Sequence, residues 1–209
     1  MLPEDRIPNY TPIFAAQKII ADISSGLYRS PAAAIKELVA NAYDADAEEV
    51  SITTDPPYFK ALVVRDNGIG MSIDKFLDVI QHIGGSKKRI VGGDTTPKGR
   101  KLIGRIGIGI LAVAQMGFRF YVSSSVKGES YRFIAEVNLE PFHRDDAALQ
   151  SMGKLREDDK VQVGAVTYVK DIPEDEDAHF TVITIPDVKK GIISEMTGTV
   201  RKVIGAEEN

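Results

Sequence analysis

The sequence predicts an α+β fold, a two-layer sandwich in which helices cover one face of a mixed β-sheet. Helical patterns dominate the first half of the chain, and strand patterns dominate the second half. Of the 209 residues, 43% are hydrophobic and 27% are charged, as is usual for a soluble globular protein. A chain of this length can bury a substantial core without covalent cross-links.

Helices are predicted where apolar residues recur every three or four positions. Residues 13–23 show this spacing. Ser30 and Pro31 together form a helix start, a capping residue followed by proline in the first turn, and the helix then runs to about Tyr43. The remaining predicted helices cover residues 73–80, 110–116 and 189–204.

Strands are predicted where residues alternate in polarity or form short apolar runs. These segments cover residues 50–54, 61–65, 118–123, 131–138, 161–170 and 180–185. Between the two halves, residues 84–101 contain five glycines and six lysines or arginines. A loop of that length and composition is typical of a lid or a binding loop.

Composition excludes several classes of function. The chain has no cysteine, which rules out disulfide scaffolds, cysteine nucleophiles and thiolate zinc sites. Its three histidines, His82, His143 and His179, are far apart in sequence, and the net charge of −4 argues against non-specific nucleic-acid binding. The sequence shows no signal peptide and no apolar stretch that could span a bilayer, so we expect a cytoplasmic protein without a membrane partner.

The helix that starts at Pro31 carries a carboxylate and an amide on one face. Glu37 and Asn41 are four residues apart, and Asp44 lies near the same face. An amide oxygen can bind Mg²⁺, and a neighbouring carboxylate can take a proton from a water molecule. From this helix alone, a solvated polar face is the more common explanation.

A glycine-rich turn, Asp66-Asn67-Gly68-Ile69-Gly70-Met71, follows an apolar strand. Its glycines permit positive φ and close approach of another group to the backbone. A partly buried Asp66 requires a donor, which an adenine amine could supply, and Met71 could pack on a purine face. A tight turn with a structural donor for Asp66 explains the pattern equally well.

A second glycine-rich turn, Gly104-Arg105-Ile106-Gly107-Ile108-Gly109, opens a predicted helix. Such turns bring backbone amides close to phosphate at a helix N-terminus. The turn lacks the lysine and hydroxyl residue that end a P-loop, and it does not follow a first strand as a Rossmann turn does. Close packing of the helix on the sheet is the alternative explanation.

Together, in this order and spacing, the three segments resemble the nucleotide-binding motifs of the GHKL ATPases. That superfamily includes DNA gyrase, the ninety-kilodalton heat-shock chaperone, histidine kinases and MutL. The wording KELVANAYDADA, over residues 36–47, looks closest to MutL, MORC and heat-shock-chaperone-like members. The resemblance extends over residues 13–187.

The resemblance implies a Bergerat ATP-binding fold that uses ATP and Mg²⁺. It assigns the general base to Glu37, a Mg²⁺ ligand to Asn41 and an acceptor for the adenine amine to Asp66. It also places further residues at the nucleotide: Asp44, Ala45, Gly68, Gly70, Met71, Gly104, Arg105, Gly107, Ile108 and Gly109. Residues 84–101 would form the ATP lid, with Ser86 and Lys87 in its phosphate-facing part, although a solvated basic loop explains that part as well.

The sequence departs from the family pattern in two places. The family's late Gly-Thr pair is replaced by Phe180-Thr181, and we expect Thr181 rather than Thr199 to contact adenine. Family members usually receive a lysine or arginine at the terminal phosphate from a following domain. We therefore expect residues 1–187 to form the ATP-binding domain and residues 188–209 a helical tail that leads to a downstream domain. A stand-alone module with a weak active site is the alternative.

The function that this resemblance implies is a conformational switch that binds ATP and hydrolyses it slowly. Lid closure on Mg²⁺-ATP would drive contacts with a partner or a second copy of the chain, in the manner of a chaperone or MutL. The client, protein or DNA, is not identified by the sequence. A histidine-kinase-type phosphotransfer module is disfavoured because Glu37 occupies the base position. A nucleotide-binding regulator without catalysis stays open.

Overall fold

A seven-stranded sheet forms one layer of the molecule and helices form the other. The structure, a computed structural model, describes residues 1–16, 30–81, 95–103, 109–139 and 160–207. The strands are β1 (Asn9–Ala16), β2 (Val50–Thr54), β3 (Leu62–Asp66), β4 (Arg119–Ser125), β5 (Tyr131–Asn138), β6 (Lys160–Pro173) and β7 (Phe180–Ile185). The described helices are α1 (Pro31–Asp44), α2 (Ile73–Gln81), α3 (Gly109–Met116) and α4 (Lys190–Glu207).

The order of the strands in the sheet is β1-β6-β5-β4-β7-β3-β2, and each described pairing is antiparallel. The two-layer α+β fold is therefore confirmed, but the expectation of a mixed sheet is wrong for the described strands. The helical connection from β3 to β4 returns the chain in its original direction, as in a parallel crossover. However, β7 inserts between those two strands and is antiparallel to both.

One prediction is wrong at the first strand. The sequence predicts a helix over residues 13–23, whereas Asn9–Ala16 is a strand that pairs with β6. Residues 17–23 lie outside the described residues. A bulge between Ile13 and Phe14 shifts the register of this pair. Because a bulge breaks the two-residue alternation, the segment lacks the sequence pattern of a strand.

Helix α1 begins as its sequence predicts. The Ser30 hydroxyl accepts a hydrogen bond from the backbone amide of Ala33 at 3.3 Å, and Pro31 occupies the first turn. The side chains that α1 buries against the sheet are Pro31, Ala34, Leu38 and Ala42. Glu37 and Asn41 lie along one flank of this buried stripe, where a helix can be packed and still present polar groups.

Helix α4 packs on the core through Ile192, Ile193 and Met196. At its start, the Lys189 ammonium donates a hydrogen bond to the carbonyl of Ala114 at 2.7 Å and lies 4.0 Å from the ring centroid of Phe118. Ala114 is in the last turn of α3, where helix carbonyls have no partner within the helix. Burial lowers the pKa of Lys189 from 10.5 to about 8. No described helix combines the length and apolarity that a membrane span requires.

The lowered pKa of Lys189 makes stability depend on alkaline pH. The unfolded chain binds this proton up to about pH 10.5, whereas the folded chain releases it near pH 8. The residue therefore contributes a free energy of unfolding that rises between these two values. Chemical denaturation measures the unfolding free energy. We expect that of the wild type, relative to that of Lys189→Met, to rise between about pH 8 and pH 10.5. Lys190→Met, at the exposed neighbouring position, serves as the control; parallel curves for the wild type and Lys189→Met would contradict the assignment.

Candidate functional site

A cavity of about 300 Å³ opens between the helical layer and the sheet, at the lower end of the size range for small-molecule sites. Helices α1 and α2 form one wall, and strands β3, β4 and β7 form the other. The cavity brings together seven residues that the resemblance to the GHKL ATPases assigns to a nucleotide site: Asn41, Asp44, Ala45, Asp66, Gly70, Met71 and Thr181. Its remaining lining includes Leu38, Lys75, Phe76, Val79, Val122 and Ile183.

The turn after β3 needs both of its glycines. Gly70 has φ 67°, and a Cβ at this position would overlap the backbone carbonyl of Ser125. A Cβ on Gly68 would lie 2.7 Å from the carbonyl oxygen of Ala45. Only glycine at both positions therefore lets this turn lie between the end of α1 and the end of β4.

Backbone and side-chain hydrogen bonds tie the same turn to the end of α1. The Asn67 side chain accepts from the amides of Glu48 and Glu49 at 2.8 and 2.9 Å, and the Ile69 amide donates to Ala45 at 2.8 Å. On the other side, a ring nitrogen of His179 lies 2.9 Å from the carbonyl oxygen of Gly68. The position of Asp66 relative to α1 is thus fixed by several independent contacts.

Asp66 is the last residue of β3 and lines the cavity. Burial raises its pKa, while hydrogen bonds from the backbone amides of Gly68 and Thr181 act in the opposite direction. The bond from Gly68 is 2.9 Å long. An ionised carboxylate has about four acceptor positions, so these two donors leave capacity for a ligand.

Strand register places Thr181 beside Asp66. Thr181 pairs with Asp66 across β7 and β3 and with Ser124 across β7 and β4. The three side chains therefore lie next to one another in a single row on the inner face of the sheet. Thr199, the alternative threonine, lies in α4.

Helix α1 supplies the polar residues on the opposite wall. Asn41 lines the cavity, and Glu37 lies half-buried one turn earlier on the same flank. The Asp44 carboxylate, which also lines the cavity, accepts a hydrogen bond from the amide of Ile103 at 2.9 Å. This contact holds the backbone next to residue 104, where the second glycine-rich turn begins.

Residues 95–103, which we name the hairpin, contain the last part of the expected ATP lid, residues 84–101. A bridge between Thr95 and Lys101 closes it, and it docks on the end of α1 through the buried carboxylate of Asp46. That carboxylate accepts from the Thr96 hydroxyl and, at 3.0 Å, from the Lys98 amide. Polar contacts therefore hold the hairpin, whose apolar side chains Leu102 and Ile103 are both exposed.

Arg100 reinforces this attachment. Its guanidinium donates to the carbonyl of Ala47 at 2.6 Å, stacks over Tyr43 at 5.1 Å and lies 3.9 Å from the Asp46 carboxylate. Burial by itself would raise the pKa of Asp46, but the bonds from Thr96 and Lys98 and the charge of Arg100 together lower it. The ionised form of Asp46 is therefore the form that holds the hairpin.

Several predicted site residues lie outside the described residues: Ser86, Lys87, Gly104, Arg105, Gly107 and Ile108. Gly109 is the first residue of α3. The first turn of α3 is where a glycine-rich phosphate loop would end.

Sequence reasoning missed three residues around the cavity. Ser124 accepts from the Met71 amide at 2.9 Å, His179 contacts Gly68, and Lys75 lines the cavity from α2. Ser124 sits in a run of three serines, where alternation alone gives it the inner face but no function. The contacts of His179 and Ser124 join residues more than fifty positions apart in sequence, which no local pattern can indicate.

Residues 28–165, more than half of the chain, match a known protein family, the histidine kinase-, DNA gyrase B- and HSP90-like ATPases. The chain belongs to this ATPase family. The matched range contains the α1 residues, the glycine turn of Asp66 and the hairpin. The predicted membership of the GHKL ATPases is thereby confirmed, and with it the ATP-binding α+β fold.

Individual relatives of this GHKL chain carry diverse names. A protein of Herpetosiphon aurantiacus named "Putative type II restriction enzyme HgiDII" is 40% identical over 112 residues, 54% of this chain and 18% of the relative. The mitochondrial TNF receptor-associated protein 1 homolog of Dictyostelium discoideum is 30% identical over 135 residues, 54% of this chain and 19% of the relative. DNA mismatch repair protein MutL of Chlamydia muridarum is 42% identical over 69 residues, 32% of this chain and 12% of MutL. The chain thus spans less than a fifth of each relative's length.

The buried carboxylate of Asp46 gives a direct test of how the hairpin is held. Asp46→Asn keeps a residue that tolerates the observed φ of 60° but removes the charge and one acceptor. We expect trypsin to cleave after Lys98 and Arg100 roughly tenfold faster in this variant, because the hairpin loses a hydrogen bond to the Asp46 side chain.

The matched control for this experiment is Glu48→Gln. It breaks the exposed ion pair between Glu48 and Lys98, whose atoms are 2.6 Å apart. Exposed ion pairs contribute little to stability because water screens them, so cleavage should change much less than in Asp46→Asn. Equal cleavage rates in Asp46→Asn and the wild type would show that Asp46 does not hold the hairpin.

Proposed function

We propose that the chain binds Mg²⁺-ATP in the cavity between α1, α2 and the sheet and hydrolyses it slowly, as the nucleotide-driven part of a conformational switch. The observation that carries this proposal is the opposition of Asp66 and Asn41. An acceptor for a base and an amide suited to a metal line the same cavity from its two walls. Membership of the ATPase family supports it.

The sheet side of the cavity is suited to a purine. Apolar side chains of Met71, Val122 and Ile183 line it and can pack against a flat ring. Asp66 provides the acceptor for an exocyclic amine, and Gly70 lets the ring approach the backbone. Ala45 lies at the junction between this end and α1.

The α1 side is suited to magnesium and phosphate. Magnesium in nucleotide sites commonly uses one or two protein oxygens, with water and phosphate completing the shell. Asn41 fits that donor set, and no three His, Asp or Glu side chains gather into a metal site in the described part of the chain. When bound there, Mg²⁺ would neutralise phosphate charge.

We propose Glu37 as the general base, as the family resemblance implies. Its carboxylate would take a proton from the attacking water as the oxygen of that water bonds to the terminal phosphorus and ADP leaves. The backbone amides of the turn at residues 104–109 would hold the phosphates, as the family resemblance implies. Asp44 would position that turn through its hydrogen bond to Ile103.

Turnover is expected to be slow, well under about one per second. A terminal phosphate in its transition state needs a fixed cation, which other phosphoryl-transfer enzymes supply as an arginine finger worth roughly 10³–10⁵ in rate. Lys75 is the positively charged residue among those described as lining the cavity, and it is exposed on α2. We propose that a segment beyond residue 187 or a second protein completes the site.

The proposed switch is the closure of a lid over the bound nucleotide. With the hairpin docked, we limit the proposed lid to residues 84–94, with Ser86 and Lys87 facing phosphate. Closure of that segment on ATP would create a surface for a second copy or for a client. The names of the relatives, a mismatch repair protein, a restriction enzyme and a TNF receptor-associated protein, differ in client, so we propose the nucleotide switch as their shared element. A cytoplasmic location also stays a prediction.

Asp66→Asn separates ligand binding from stability. The substitution replaces an acceptor with a donor that faces the adenine amine, so we expect ATP affinity to fall about ten- to a hundredfold by calorimetry. Because burial raises the pKa of Asp66, its charge opposes folding above pH 3.8. The thermal midpoint of the nucleotide-free variant should therefore equal or exceed that of the wild type. Unchanged affinity would remove the adenine assignment, and Asp74→Asn, exposed on α2, is the control.

Glu37→Ala tests catalysis. We expect it to bind ATP within about threefold of the wild type and to lose roughly 10²–10⁴ in steady-state turnover, because a general base acts on the proton and not on binding. Lys36→Ala, exposed on the same helix, should keep both properties. Wild-type turnover in Glu37→Ala would show that Glu37 is a solvated residue without a role in catalysis. Loss of ATP binding would show that Glu37 supports the structure of the site. Absence of turnover in the wild type, despite tight binding, would favour a non-catalytic regulator.

A further inference from the structure

The row formed by Asp66, Thr181 and Ser124 contains a hydroxyl group whose direction can be deduced. Ser124 Oγ lies 2.7 Å from the carbonyl oxygen of Phe180, 2.9 Å from the amide nitrogen of Met71 and 3.2 Å from Thr181 Oγ1. Ser124 is 1% exposed, so these protein atoms are its surroundings.

Serine has one hydroxyl proton and two lone pairs. A carbonyl oxygen can only accept, so the Ser124 proton goes to Phe180. An amide can only donate, so one lone pair of Ser124 receives the Met71 N–H. The second lone pair is what Ser124 can offer to Thr181, and Thr181 must therefore be the donor in the 3.2 Å contact.

This assignment uses the single proton of the Thr181 hydroxyl. Thr181 lines the cavity, whereas Ser124 lies behind it and does not line that cavity. What Thr181 can offer a ligand is therefore lone pairs alone. Its neighbour in the row, the carboxylate of Asp66, also only accepts when ionised. The base end of the cavity consequently presents acceptors side by side.

We propose that Ser124 is a specificity-determining residue, which fixes Thr181 as an acceptor and thereby makes the cavity select 6-amino purines over 6-oxo purines. This inference rests on the proposed ATP site. A 6-amino group carries two hydrogens and can satisfy neighbouring acceptors, whereas a 6-oxo group would place another acceptor against them. Buried polar groups left facing a like partner are a strong source of discrimination.

Ser124 directs the Thr181 hydroxyl without touching the ligand, and its own hydroxyl also accepts a hydrogen bond from the Met71 amide. Removing the Ser124 hydroxyl frees the Thr181 proton, which can then turn towards a 6-oxo group. The expected consequence is a selective gain for the wrong base, on top of whatever loss the freed Met71 amide causes for both bases. Selectivity, and not affinity alone, is the property that reports the proposed role.

The test compares the dissociation constants of ATP and inosine triphosphate, measured by calorimetry with Mg²⁺. For the wild type we expect ATP to bind at least about tenfold more tightly. Ser124→Ala should reduce the ratio of the two constants by roughly tenfold. Ser123→Ala is the matched control: it is the same change one residue earlier, on the outer face, where Ser123 donates to Phe133 at 3.1 Å. Its ratio should equal that of the wild type.

A double variant separates hydroxyl direction from general damage to the pocket. In a Thr181→Val background no hydroxyl is left to direct, so adding Ser124→Ala should leave the ratio unchanged. If Ser124→Ala does not fold, Thr181→Ser and Thr181→Val provide the comparison, and only the serine variant should keep the wild-type ratio.

The outcomes distinguish this inference from the proposed function. A wild type that binds neither nucleotide would refute the ATP site itself. Tight ATP binding by the wild type, with the same ratio in Ser124→Ala as in the wild type, would overturn the role of Ser124 and leave the ATP site intact. An equal loss of both nucleotides in Ser124→Ala would also overturn it, since that result makes Ser124 a support for Met71 alone.

Discussion

The insertion of β7 between β3 and β4 is the constraint on which the cavity depends. It sets Asp66, Thr181 and Ser124 in neighbouring positions of one row, although they lie far apart in the chain. Antiparallel pairing fixes this register, because a shift by one residue would turn each side chain to the other face of the sheet. The row of Asp66, Thr181 and Ser124 is therefore a property of the sheet and not of a loop.

Six consecutive residues, 44–49, lie at and just after the end of α1 and hold two neighbouring loops in place. They hold the glycine turn through Ala45 and through the amides that Asn67 caps, and they hold the hairpin through Asp44 and Asp46. The glycine turn, which lines the cavity, and the hairpin are thus both attached to the end of the helix that carries Glu37 and Asn41. Such shared support is what a preorganised site requires.

Local patterns predicted much of this architecture. The capped helix at Pro31 and the strands 131–138 and 180–185 follow from periodicity and capping, which act over a few residues. The three glycine and carboxylate motifs also led to the family, since each motif is local. A bulge at Ile13 hid the first strand, and the insertion of β7, a pairing between distant segments, made the sheet antiparallel.

The polar supports of the site could not be predicted for the same reason. Asp46, in an exposed-looking Asp-Ala-Asp run, is buried because Thr96 and Lys98 reach it from fifty residues away. The hairpin buries neither of its apolar side chains, Leu102 and Ile103, so local hydrophobicity gives no sign that it is docked. The direction of the Thr181 hydroxyl depends on partners from three separate segments, and only the three-dimensional arrangement reveals it.

In the proposed site, one cavity binds the base against β3 and β7 and the metal-bound phosphates against α1. A crystal structure of the chain with Mg²⁺ and a non-hydrolysable ATP analogue would reveal whether the nucleotide binds in this way. We expect the adenine amine within hydrogen-bonding distance of Asp66, Mg²⁺ on the amide oxygen of Asn41, and a water between Glu37 and the terminal phosphate. Nucleotide bound outside this cavity, or inside it with the base away from Asp66, would contradict the account.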